Sequence, residues 1–108
     1  MSTFDTSKII AFTQAVDYST DGIVSKQVLL KTTGNVTLFA FDKGQRLSEH
    51  SAPFDAMVQV LEGKAEVIID QQPFHLDAGQ TIIMPANVTH AVNAIERFKM
   101  LLTMIKGQ

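Results

Sequence analysis

The sequence predicts an all-β fold, a single small barrel or sandwich, and three observations lead there. From Ile23 onward, short apolar stretches recur at even spacing between turn clusters, the pattern of many short strands in one closed or doubled sheet. In Phe98–Ile105 the even positions are Phe98, Met100, Leu102 and Met104, so one strand face is uniformly apolar, as an interior requires. The chain has 108 residues, enough for one core and not two, with no repeat, low-complexity tract or linker.

The elements follow in order. Residues 1–22 form an N-terminal arm with two readings. Ile9, Ile10, Phe12 and Val16 match helical spacing loosely, with Asp5–Ser7 as caps, while the turn-rich stretch from Asp17 to Gly22 suits an extended arm. Strands are expected over Ile23–Lys31, Val36–Phe41 and Arg46–Ser51, separated by Thr32–Asn35 and Asp42–Gly44 and ended before Pro53. Ala56–Leu61 then runs to a hairpin turn at Glu62-Gly63-Lys64, and Ala65–Ile69 pairs with Pro73–Leu76 around Asp70–Gln72. Thr81–Met84, His90–Ala94 and Phe98–Ile105 complete a barrel over residues 23–108.

One stretch is organised differently from the rest. Gly79 opens a turn, Thr81–Met84 is a β-branched and apolar strand, Pro85 stops it, and His90 starts the next. An earlier segment is built alike, with Gly44, His50 and Gly63 in sequence. In spacing and order these residues resemble the two motifs of the cupins: Gly44, His50 and Gly63 fall on the first, Gly79, Pro85 and His90 on the second. The resemblance covers Val36 to Ile105 and implies a single jelly-roll-like cupin β-barrel carrying a short N-terminal arm or helix. It also implies that His50 and His90 meet at the barrel mouth.

The chain departs from that pattern where such proteins hold a metal. Ala52 stands at the second histidine position, Ala56 at the glutamate position, Asn87 at a glycine and Ala94 at the closing asparagine. Asn87 still tolerates a left-handed turn. What remains is a cavity walled by Ala52, Ala56, Met84 and Met100 with two imidazoles. That arrangement suits a small-molecule ligand oriented by His50 and His90. The alternative is an enzyme, a dioxygenase or isomerase, with a divalent transition metal (Zn, Fe, Ni or Mn) on His50 and His90 as metal ligands and water completing the shell. Asp55 is one residue out of phase with the vacant glutamate position and needs a bulge to turn inward, whereas His75 alternates with Phe74 and Leu76 and faces solvent.

Composition removes other classes. There are no cysteines, so disulfides, thiolate metal sites and cysteine nucleophiles are excluded. A formal charge of -2 offers no basic footprint for nucleic acid and no polybasic patch for a membrane surface. No apolar run approaches a membrane span, the first residues lack the pattern of a signal peptide, and the expected location is the cytoplasm. Val36–Phe41 is apolar on both faces, and half the odd positions of Phe98–Ile105 are apolar too. A small barrel has one inside, so the surplus must be covered by the N-terminal segment or by a second subunit, and a homodimer is expected.

Overall fold

A computed structural model describes residues 4–107. Seven antiparallel strands follow one another: β1 (Ile23–Lys31), β2 (Gly34–Phe41), β3 (Arg46–His50), β4 (Asp55–Ile69), β5 (Gln72–Asp77), β6 (Thr81–Met84) and β7 (His90–Ile105). Two long central strands, β4 and β7, pair with each other along most of their length. Their halves belong to different layers. One layer runs β1-β2-β7-β4-β6, using Phe98–Ile105 of β7 and Asp55–Val60 of β4. The other runs β3-β7-β4-β5, using the first residues of β7 and Ala65–Ile69 of β4. Side chains from both layers meet in one core, with Phe41, Val58, Val60, Ala65, Val67 and Phe98 all buried in it. This is the jelly-roll barrel of the expected all-β class.

The two layers are joined by a bend, and there the structure corrects the sequence reading. Gly63 does not close a hairpin. It sits inside β4 with φ of +80°, between register shifts at Val60/Glu62 and Gly63/Ala65. The extra residues let the strand bend while its pairing continues. They also switch its phase: Ala56, Val58 and Val60 point inward before the bend, Ala65 and Val67 after it. A Cβ on Gly63 would overlap the carbonyl oxygen of Arg97 on β7, so only glycine lets the two backbones approach. For the same reason His90–Ala94 and Phe98–Ile105 are one strand rather than two, with exposed Ile95, Glu96 and Arg97 on the outside of the curve. The genuine tight turn is at Asp70 and Gln71, both with positive φ (49° and 70°), joining β4 to β5.

The N-terminal arm is extended, with one 3-10 turn at Phe12–Gln14. It lies over the outer face of the first layer, where Val16 (1 % exposed) packs with Val28, Leu38, Ala40 and Leu101 in a second core. Two ammonium groups pin its backbone: Lys26 donates to the Ala15 carbonyl at 2.7 Å and Lys99 to that of Thr13. The Tyr18 hydroxyl donates to Glu62 at 2.6 Å. Lys99 is buried, and Glu62 at 3.7 Å supplies its countercharge. These carbonyls serve lysines on the barrel rather than a helical ladder, and of the helix-spaced residues Ile9 points fully into solvent. No helix among the described residues is long and apolar enough to cross a membrane.

Gly63→Ala is expected to destabilise the fold by more than about 2 kcal/mol, since left-handed strain and backbone overlap act together. Gly44→Ala, at φ of +86° with open space around its Cβ, is expected to lose only the strain, about 1 kcal/mol. Urea unfolding of the two variants against wild type measures the difference.

Candidate functional site

His50 is the last residue of β3 and His90 the first of β7, and the two are directly paired in register. A bulge between Leu47 and His50 sets the final orientation of β3. The rings stand edge to face, 4.4 Å between centroids and 72° between planes. They differ in surroundings. His50 is exposed, and its Nδ1 lies 2.7 Å from the Ser48 carbonyl. A carbonyl only accepts, so Nδ1 carries the hydrogen and a neutral His50 offers Nε2 as a lone pair. His90 is 6 % exposed, and its buried Nδ1 has no hydrogen-bond partner among the described residues. Burial lowers the His90 pKa and the neighbouring His50 lowers it further; the Val88 carbonyl pulls the other way.

The imidazoles stand at a cavity of about 260 Å³ between the two layers of the barrel. Ala52, Ala56, Met84 and Met100, the four wall positions expected from sequence, all line it, and so do both histidines. Ala52 reaches it from the loop after β3 rather than from the strand, held there by the Asn87 amide donating to its carbonyl at 2.7 Å. Asn87 makes that contact from a left-handed conformation, φ 64°. Sequence reasoning missed Leu47, Phe54, Val92, Leu102 and Met104 as lining residues. Leu102 and Met104 share the inward face of β7 with Met100, so alternation was signal enough for them. Phe54 lies in an irregular loop and had none.

No carboxylate joins the pair. Asp55 does not turn inward: its Oδ1 accepts the Ala86 amide at 2.9 Å and its side chain is exposed. Glu49 accepts from Gln71 at 2.8 Å, and exposed His75 contacts Glu66 at 2.9 Å on the outside of the second layer. Among the described residues no group of three or more histidine, cysteine or acidic side chains is placed to hold a metal ion. Two imidazole nitrogens facing the methyl groups of Ala52 and Ala56 fall short of the three protein ligands a catalytic zinc ordinarily has, and nothing lining the cavity offsets a divalent charge. The donor set does not fit a resident metal.

A bent, double-layered antiparallel barrel with a mostly apolar cavity at one end defines the class: a jelly-roll barrel with an interior pocket. Residues 37–105 match the Cupin domain family, and the chain belongs to it. Its fold superposes on a conserved protein of unknown function from Streptococcus pyogenes with a TM-score of 0.93 and 40 % identity, covering 97 % of this chain and 92 % of that one. A cupin 2 conserved barrel domain protein from Leptotrichia buccalis matches at a TM-score of 0.84 and 40 % identity, over 87 % of this chain and 46 % of that one. A polyketide synthase protein, CurC, from Streptomyces cyaneus is 37 % identical over 60 residues, 55 % of this chain. The chain spans 39 % of the length of that curated relative.

A folded-state pKa below the ordinary histidine value of 6.5 makes His90 cost stability on the acid side. Above pH 6.5 the ring is neutral folded and unfolded. As pH falls below it, the unfolded chain takes up the proton first and stability drops, levelling once the folded-state pKa is passed. Denaturation midpoints between pH 5 and 8 are expected to show this slope in wild type and lose it in His90→Phe.

Proposed function

We propose that this cupin binds a small molecule in the barrel cavity, with His50 and His90 as the orienting polar contacts and no resident metal. One observation carries the reading: a cavity of about 260 Å³ walled by alanine, methionine and leucine side chains, in which His50 and His90 are the only polar lining side chains. A ligand that bonds to the lone pair His50 keeps on Nε2 adds a directed contact to the burial of its apolar body. Few, well-placed polar groups in an apolar wall are the usual composition of small-molecule pockets.

A second proposal concerns the outer face that the N-terminal arm leaves open. Register aligns Leu29, Val36, Thr103, Met57 and Ile83 in one row across five strands, and Leu29, Ile83 and nearby Ile105 are exposed. Residues of this kind in one strip suit association with a second copy of the chain. Light scattering at micromolar concentration is expected to report a dimer in wild type and a monomer in the double variant Ile83→Lys with Ile105→Lys; a monomeric wild type removes the proposal.

Metal titration separates binding from metal-dependent catalysis. Zn, Ni, Mn and Fe are expected to leave the melting temperature of wild type unchanged, because an ion that binds the folded state must stabilise it. The double variant Ala52→His with Ala56→Glu, which restores two donors beside the imidazoles, is expected to gain stabilisation by these ions. Stoichiometric metal in wild type that is lost in His50→Ala replaces the proposal with a metal-dependent enzyme.

A further inference from the structure

Resting on that small-molecule reading, we infer that the cavity selects a neutral, single-ring ligand bearing a hydroxyl group, with the hydroxyl seated between His50 and His90, and rejects carboxylates. Size sets the first limit. A cavity of about 260 Å³ exceeds the roughly 150 Å³ apolar void that accommodates benzene, leaving room for one substituted ring. The wall facing it is Leu47, Phe54, Ala56, Met84, Met100 and Leu102, which favours an apolar body.

The hydrogen-bonding capacity of the imidazoles sets the second limit. His50 commits Nδ1–H to the Ser48 carbonyl and keeps a lone pair on Nε2. His90 lies against it and donates to the Val88 carbonyl. A neutral imidazole carries one N–H and one lone pair, and with both N–H groups spent on backbone carbonyls the pair calls for a group that donates. A hydroxyl donates. A carboxylate only accepts, and it meets the His50 lone pair with its own.

Charge sets the third. No lysine or arginine lines the cavity. Lys26 and Lys99 are committed to the N-terminal arm on the other side of the sheet. Lys106 rests over the ring of Phe54, 5.6 Å from its centroid, and is not a lining residue. A buried carboxylate therefore lacks a fixed countercharge, and protonating His90 to supply one runs against its burial. An ammonium ligand fares no better, because Glu49 and Asp55 are bonded elsewhere.

The test compares 4-methylphenol, toluene and 4-methylbenzoate, nearly alike in shape, by NMR titration of the protein at pH 7.5, following the methionine methyl and histidine ring resonances. The phenol is expected to bind roughly tenfold more tightly than toluene, the margin of one well-made hydrogen bond, and 4-methylbenzoate more weakly than either. His50→Phe and His90→Phe are each expected to reduce 4-methylphenol to the affinity of toluene. His50 is exposed, so its variant keeps the test open if the buried substitution fails to fold. Equal binding of phenol and toluene, or tightest binding of the benzoate, overturns the ligand class and leaves the cavity reading standing. Three silent titrations, with the Met84 and Met100 methyls unmoved, overturn both.

Discussion

The close approach of Gly63 to the Arg97 carbonyl is the constraint on which the barrel depends. Two strands of fifteen and sixteen residues cannot each face one core along their whole length unless they bend. The bulge at Gly63 provides the bend and reverses which residues of β4 point inward, from Ala56, Val58 and Val60 to Ala65 and Val67. Without that switch the second half of β4 would present Glu66 and Ile68 to the core in place of Ala65 and Val67, and the two layers could not share an interior.

The bend also explains where chemistry is possible. It carries the start of β7 into the second layer, so His90 pairs with His50 on β3 while Phe98–Met104 remain in the first layer. The cavity lies between those two parts of β7, so one strand supplies His90 and Val92 on one side and Met100, Leu102 and Met104 on the other, while His50 comes from β3. The imidazoles have unequal roles because only one is buried. His50 at the rim is exposed with one nitrogen against the Ser48 carbonyl, whereas His90 is buried beneath it, where desolvation holds its pKa down.

The outer face shows a different solution to a surplus of apolar surface. Leu38, Ala40 and Leu101 need cover on the side away from the barrel, and the arm supplies it with Val16 while surrendering its own carbonyls to Lys26 and Lys99. An extended segment has free backbone carbonyls to offer along its length, and a helix only in its last turn. That exchange accounts for Lys99 sitting at 7 % exposure beside Glu62 and over the Tyr18 ring.

Local patterning settled much of this protein before any tertiary contact. Period-two alternation identified the inward face of Phe98–Ile105, turn residues marked most strand limits, and the cupin resemblance carried by Gly44, His50, Gly63, Gly79, Pro85 and His90 implied the barrel and the meeting of two imidazoles at its mouth. Alternation is a property of the backbone and needs no partner to be read. The tertiary structure alone decided that Gly63 is a bend rather than a turn, that the arm is extended, and that Asp55 and Glu49 are spoken for. It also decided that His90 is the buried histidine of the pair and His50 the exposed one. Each of these depends on groups far apart in sequence, Gly63 with Arg97, Thr13 with Lys99, Asp55 with Ala86, and a burial or a hydrogen bond exists only once both ends have been brought together.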